Sequence, residues 1–238
     1  MPHTQLTIPQ ACAYLATDKK HLLRLVSRDA FSARKIGDGE FLFRKSALDA
    51  WVWASLASFD RKTICAIEAG ICAHHGLDPA RELITPLLNS SLCIPALAAK
   101  TRRSVIQELV TRADENHKVW AKEDLIHEIH DRSEECVTEL LPPVAFPHPS
   151  HPVPYDIAET FLAVGIHHSG LAFGSPRGDM SHLFFLLCVK EETAQIHLLL
   201  RLFRMLHEPG VVHSLLDCQT PTALAETLAT RETALLLE

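Results

Sequence analysis

The chain has 238 residues, of which 47% are hydrophobic and 22% charged, a composition typical of a soluble globular protein. Its apolar runs are too short to cross a bilayer and no signal peptide opens the chain, so we expect a cytoplasmic protein without membrane insertion. The net charge of −6 is divided unevenly, since residues 1–54 carry eight Lys or Arg against five Asp or Glu. A basic N-terminal segment of this kind is typical of one that binds a polyanion.

The first fifty-five residues predict two short helices followed by a hairpin. Thr7 and Asp18 are suitable N-cap residues for two helices. The connection between these helices is only about two residues long, as in a helix-turn-helix. Alternating apolar and polar residues on both sides of Gly37-Asp38-Gly39 predict the hairpin. The predicted elements are a helix from Ile8, a helix over 19–28, strands over 31–36 and 40–44, and a helix over 47–54 that Ser46 caps.

The runs 6–15 and 41–51 resemble the excisionase-type winged helix-turn-helix, a relative of the MerR-type domain. Asp29 stands where that family usually has Gly, and Asp tolerates the left-handed backbone expected there. The resemblance implies that residues 1–55 bind double-stranded DNA, with the second helix in the major groove and the wing on the backbone. The implied contacts are Lys19, Lys20, His21 and Arg24 on the helix, and Arg34, Lys35, Arg44 and Lys45 at the wing.

Residues 56–90 predict a helical linker that is also a candidate dimerisation element. Asp78 and Pro79 are typical of a helix start, so we expect a new helix from Pro79. A single small DNA-binding module makes few phosphate contacts, and useful affinity therefore favours a homodimer.

From about residue 91 the pattern alternates helices and strands, which predicts an α/β (α+β) fold over 91–238. Helical periodicity and caps predict the helices, and continuous apolar runs predict buried strands. The predicted helices cover 101–114, 122–135, 192–208, 211–218 and 220–228, and the predicted strands cover 157–166 and 182–189.

The segment Val144-Ala145-Phe146-Pro147-His148 resembles the Ala-Ile-Pro-His signature of phosphotransferase-system enzyme IIA domains of the fructose, mannitol and nitrogen-regulatory type. Arg132, Thr138 and His197 stand where that family has an Arg, a Thr and a second His of its active site. The resemblance implies a mixed β-sheet flanked by helices.

The same resemblance implies phosphoryl transfer to His148 from the phosphohistidine of HPr or of its nitrogen-branch relative. Arg132 would stabilise the anionic transition state, Thr138 would donate a hydrogen bond, and His197 would bind the phosphoryl group or orient His148. No cofactor or metal is expected, because the histidine pairs along the chain lack a third ligand at a suitable spacing. The seven scattered cysteines are expected to be reduced.

The sequence departs from the family between Arg132 and His148, where a glycine-rich segment is replaced and Pro142 and Pro143 have no N–H to offer an anion. Slow transfer, or phosphate binding without transfer, is therefore expected. Three functions remain open: a DNA-binding transcription regulator that senses or receives phosphoryl groups, an active phosphocarrier, and a degenerate enzyme IIA domain that only docks a partner.

Overall fold

The computed structural model describes residues 5–81, 83–135, 141–174 and 178–237. The chain forms two compact units, residues 1–82 and residues 83–238. Within the described ranges, no helix is both long and apolar enough to cross a membrane.

The first unit combines a three-stranded antiparallel sheet of order β1-β3-β2 with four α-helices and one short 3-10 helix (Leu56–Ser58) in its described part. Asp18 caps the second helix as predicted, since its carboxylate accepts the His21 N–H at 2.7 Å. Asp29 has the expected left-handed backbone, with φ of 53°. The elements are β1 (Gln5–Thr7), α1 (Ile8–Tyr14), α2 (Lys19–Ser27), β2 (Ala33–Gly37), β3 (Glu40–Arg44), α3 (Lys45–Ser55) and α4 (Arg61–His75).

Two predicted helix starts in the first unit need correction. Helix α3 begins at Lys45 with Arg44 as its N-cap, so Ser46 lies inside the helix and does not cap it. No helix begins at Pro79; a turn follows it, and a 3-10 turn (Thr85–Leu87) leads into a strand, β4 (Leu88–Ile94). Local cap residues favoured a helix there, but long-range contacts in the second unit decide the conformation of residues 84–94.

Helix α4 is an integral part of the first unit. Its apolar residues Ile64, Ile67 and Ile71 are buried, and the helix packs against α1. The approach is so close that a Cβ on Gly70 would lie 2.4 Å from the Ala13 carbonyl oxygen. The apolar face of α4 is thus used within its own unit.

The second unit is built on a mixed four-stranded sheet of order β4-β6-β7-β5, flanked by helices as predicted. Strands β6 and β7 are antiparallel, while β4 and β5 run parallel to their neighbours. The strand predicted over 157–166 is displaced to 161–172, because Ile157 instead bridges to Val119. The remaining elements are α5 (Arg102–Glu115), α6 (Lys122–Glu135), β5 (Val144–Ala145), β6 (Phe161–Ala172), β7 (Met180–Cys188), α7 (Glu192–Leu206), α8 (Val211–Leu216) and α9 (Pro221–Leu236).

Helices cover both faces of this sheet. Successive residues of a strand point to opposite faces of the sheet. The neighbouring side chains of Phe184 and Phe185 on β7 accordingly pack on different sides of the sheet. Phe184 packs in the core that α5 and α6 share with the sheet. Phe185 stacks on Phe146, whose ring in turn lies 6.3 Å from that of Phe203 on α7. The segment that follows β5 is therefore held between β7 and α7.

Candidate functional site

His148 stands at the end of the short segment that continues β5. Strand β5 pairs with β7, and the Leu187 N–H donates to the Pro147 carbonyl at 3.3 Å. The fully buried Phe146 ring anchors the same segment in the core. The backbone on the N-terminal side of His148 is thus fixed by the sheet and by aromatic packing.

The His148 side chain is only 2% exposed, and its Nδ1 lies 2.7 Å from the Phe146 carbonyl oxygen. Burial, which is the largest cause, and the nearby positive charge of Arg132 together lower the pKa of His148 to about 4, although the Phe146 hydrogen bond acts to raise it. The ring is consequently neutral at pH 7. Because a carbonyl only accepts, Nδ1 carries the proton and Nε2 carries the lone pair.

Arg132 lies in the last turn of α6, half-buried, and it brings a cation to His148. Its Nε is buried and has no hydrogen-bond acceptor in the described part of the chain. A buried N–H without a partner costs free energy, and a guanidinium edge is well suited to a phosphoryl group. The arrangement therefore fits an anion beside His148.

The end of α6 is secured by Arg102, a residue that sequence reasoning missed. Its Nη1 donates to the Ser133 carbonyl at 2.8 Å, and its guanidinium lies 5.6 Å from the centre of the Phe173 ring. Ser133 is the neighbour of Arg132, so this contact holds the backbone that carries the Arg132 side chain. No local sequence pattern predicts a hydrogen bond between residues that are 31 positions apart.

Helix α7 supplies the other side of the site. His197 on this helix is fully buried. Two residues earlier, the Gln195 side chain donates to the Pro149 carbonyl at 2.9 Å, directly after His148. The structure thus brings Arg132 to His148 and brings α7 to the segment that carries it, while Thr138 falls outside the described residues.

Six exposed cations of the predicted DNA surface lie on α2 and on the hairpin formed by β2 and β3. The Arg24 guanidinium lies 2.6 Å from Nδ1 of the half-buried His21. Arg34 and Arg44 line a groove of about 300 Å³ between β1, β2 and β3. The fully or largely exposed members of the predicted DNA surface are Lys19, Lys20, Arg24, Arg34, Lys35 and Arg44.

Lys45 departs from the prediction that it serves the wing. It is 3% exposed, and its ammonium pairs with the Asp49 carboxylate at 2.6 Å. The other Asp49 oxygen accepts the Tyr14 hydroxyl at 2.5 Å. Because Lys45 is buried in the first turn of α3 and pairs with Asp49 of the same helix, its charge is used inside the unit and we remove it from the DNA surface.

The second unit matches a family model. Residues 86–230 match the EIIA 2 family of the phosphoenolpyruvate-dependent sugar phosphotransferase system. The chain belongs to this family. Residues 6–55 match a helix-turn-helix domain model, so this EIIA protein carries a helix-turn-helix at its N-terminal side. No curated protein matches the sequence significantly.

Solved EIIA structures share the fold of the second unit. The nitrogen regulatory protein IIA-Ntr from Neisseria meningitidis is 18% identical with a TM-score of 0.54, over 61% of this chain and 98% of that one. IIA mannitol from Escherichia coli is 18% identical with a TM-score of 0.52, over 59% and 98%. A putative PTS IIA domain from Streptococcus pyogenes is 15% identical with a TM-score of 0.53, over 63% and 97%.

Proposed function

We propose that this EIIA protein is a cytoplasmic transcription regulator that binds double-stranded DNA through its helix-turn-helix and receives a phosphoryl group on His148. The observation that carries the proposal is the neutral His148 beside Arg132, whose buried Nε lacks an acceptor among the described residues. The phosphoryl donor is a phosphohistidine carrier of the HPr class or its nitrogen-branch relative. The exposed cations of α2 and the hairpin support the DNA-binding half of the proposal.

In the proposed step, the Nε2 lone pair of His148 attacks the phosphorus of the donor phosphohistidine. A new N–P bond forms at Nε2 of His148, and the N–P bond of the donor breaks. The donor histidine leaves as a neutral imidazole, because its other ring nitrogen keeps its proton throughout the step. The proton on Nδ1 of His148 stays in place, because the Phe146 carbonyl accepts it. Arg132 stabilises the negative charge on the phosphoryl oxygens in the loose transition state.

Two features make this transfer slow. Pro142 and Pro143 offer no N–H groups, so side chains must supply the donors that a glycine-rich segment would supply. The His148 ring is also nearly inaccessible, so a protein donor reaches Nε2 only when the groups that cover the ring move aside. Loss of a single preorganised donor typically costs on the order of a hundredfold in rate.

The test is to incubate the full chain with phosphorylated HPr-type carriers and to map the labelled histidine by mass spectrometry. We expect slow labelling at His148, none in His148→Ala, and unchanged labelling in His151→Ala, which removes an exposed histidine three residues away. Full labelling of His148→Ala would show that the acceptor is a different histidine. If no carrier labels the wild-type chain, the domain does not receive phosphoryl groups and the docking alternative replaces this proposal.

A further inference from the structure

We infer that Gln195 is a positioning residue for His148: its carboxamide holds the segment after the histidine and so sets where the imidazole points. This inference rests on the proposed function of His148. The side chain belongs to helix α7 and donates from Nε2 to the Pro149 carbonyl at 2.9 Å, a contact between residues 46 positions apart.

The chemistry of the segment explains why such a tether is needed. His148 is flanked by Pro147 and Pro149, neither of which has an N–H to donate. The carbonyl groups are then the main backbone anchors. The Pro147 carbonyl accepts from Leu187 of β7, on the sheet side of the histidine. On the other side, the Pro149 carbonyl accepts from Gln195.

Helix α7 also holds the segment at a second point. The Phe203 ring lies 6.3 Å from the Phe146 ring, two residues before His148. Eight residues of α-helix, from Gln195 to Phe203, rise about 12 Å, and three extended residues, from Phe146 to Pro149, span about 10 Å. The segment therefore runs along α7, in the opposite direction, with His148 between its two anchors.

A carboxamide suits this position because it is a neutral donor. Glu cannot donate to the Pro149 carbonyl when ionised and would add a negative charge close to an incoming phosphoryl group. Gln keeps the same charge and the same donor at every pH and in both phosphorylation states. Its contribution is geometric, which is the kind of effect expected to alter the transfer rate more than carrier binding.

The first measurement is single-turnover phosphoryl transfer to the full chain from a phosphorylated HPr-type carrier. Gln195→Ala should lower the maximal rate by about 10- to 100-fold and leave the half-saturating carrier concentration within about twofold, because misplacement of a reacting group acts on the chemical step. Gln195→His, which restores an N–H donor, should recover part of the loss. Gln107→Ala, which removes an exposed glutamine from α5, should match the wild type.

The second measurement does not depend on transfer. In ¹⁵N-histidine spectra, wild-type His148 should show a single tautomer with the proton on Nδ1, and Gln195→Ala should show a mixture. If no carrier labels the wild-type chain but Gln195→Ala still changes the tautomer, the proposed function is overturned and the positioning role remains supported. Unchanged transfer rate and unchanged tautomer in Gln195→Ala would overturn the inference. If Gln195→Ala fails to fold by circular dichroism, the same two criteria apply to Gln195→Met, a neutral side chain of similar length that cannot donate a hydrogen bond.

Discussion

At the scale of single residues, the candidate site depends on side chains more than on backbone amides. Pro142, Pro143, Pro147 and Pro149 lie close to His148 in the sequence, and none of them has an N–H. The guanidinium of Arg132 is thus the donor group best suited to an anion, and the carboxamide of Gln195 is committed to the Pro149 carbonyl. The proposed site therefore relies on the Arg132 guanidinium for contact with the anion and on Gln195 for the geometry of the segment that carries His148.

The lowered pKa of His148 predicts an unusual titration. An unperturbed histidine is half-protonated near pH 6.5, whereas His148 should remain neutral down to about pH 5 and titrate near pH 4. Because the unfolded chain binds this proton below pH 6.5 and the native chain does not, the fold should lose stability as the pH falls from 6.5 towards 4. The measurement is the pH dependence of the His148 ring resonances in the full chain.

Two variants separate the causes of this shift. Arg132→Gln removes the smaller, electrostatic contribution, so the midpoint should rise but stay below 6.5 because the ring remains buried. His148→Gln should remove the part of the acid-dependent loss of stability that this residue causes. A His148 resonance that titrates near pH 6.5 in the folded wild type would contradict the buried, neutral imidazole on which the mechanism depends.

At the scale of elements, a buried carboxylate ties the last helix to the start of the second unit. Glu232 of α9 is 2% exposed and accepts the N–H groups of Ile84 and Thr85 at 2.6 and 2.7 Å, and also the Thr85 hydroxyl. Arg201 of α7, 1% exposed, lies with Nη1 3.8 Å from the same carboxylate. The pair joins α7, α9 and the residues that lead into β4.

Glu232→Gln should destabilise the second unit by about 3–5 kcal/mol, which is the typical cost of removing one partner of a buried ion pair. The denaturation midpoint should fall, and amide hydrogen exchange should speed up first at Ile84 and Thr85, whose N–H groups this carboxylate accepts. Hydrogen exchange of the full chain, followed by mass spectrometry, measures both the size and the place of the effect.

A double-mutant cycle tests the Arg201 contribution. Arg201→Met and Glu232→Gln together should cost less than the sum of the single changes, since both single changes remove the same contact between the two side chains. The exposed pair of Arg81 and Asp78 serves as the control, and its removal should cost less than about 1 kcal/mol. Additive effects at the buried pair would show that Arg201 and Glu232 do not interact energetically.

At the scale of the whole molecule, the chain joins a unit with exposed cations to an EIIA unit. We keep as a proposal that residues 1–55 form the DNA-binding domain and 91–238 the EIIA domain; within the expected helical linker over 56–90, helix α4 packs in the first unit against α1. The burial of the apolar face of α4 removes one argument for dimerisation through residues 56–90. The homodimer proposal therefore rests on the small number of phosphate contacts that one module makes.

The full chain should bind duplex DNA as a dimer, with an affinity that falls steeply as salt rises. Lys20→Ala/Arg24→Ala should weaken binding and reduce the slope of log affinity against log salt by about two, because two phosphate contacts are lost. Gel-shift titrations at several salt concentrations and sedimentation of the complex provide the measurements.

The matched control is Lys62→Ala/Arg81→Ala, which removes two exposed cations of the same unit outside α2 and the hairpin. It should keep the wild-type slope. A wild-type chain that shifts no genomic fragment at low salt would contradict DNA binding, and a complex with one chain per DNA duplex would contradict the dimer.

The sequence by itself determined the features that depend on neighbouring residues. Asp18 predicted the start of α2, helical periodicity predicted α6 over residues 122–135, and local motifs indicated both domain types and the candidate His148. Caps, turns and apolar periodicity act within a few positions, so they can be recognised without knowledge of the fold.

Only the tertiary structure decided which partners meet across the chain. Glu232 reaches Ile84 across 148 positions and Gln195 reaches Pro149 across 46, and neither contact follows from a local pattern. The same holds for Lys45, which resembles a wing cation in sequence but is buried against Asp49. Burial and long-range hydrogen bonds determine the energy of a charged or amide side chain, and both exist only once the distant elements have packed together.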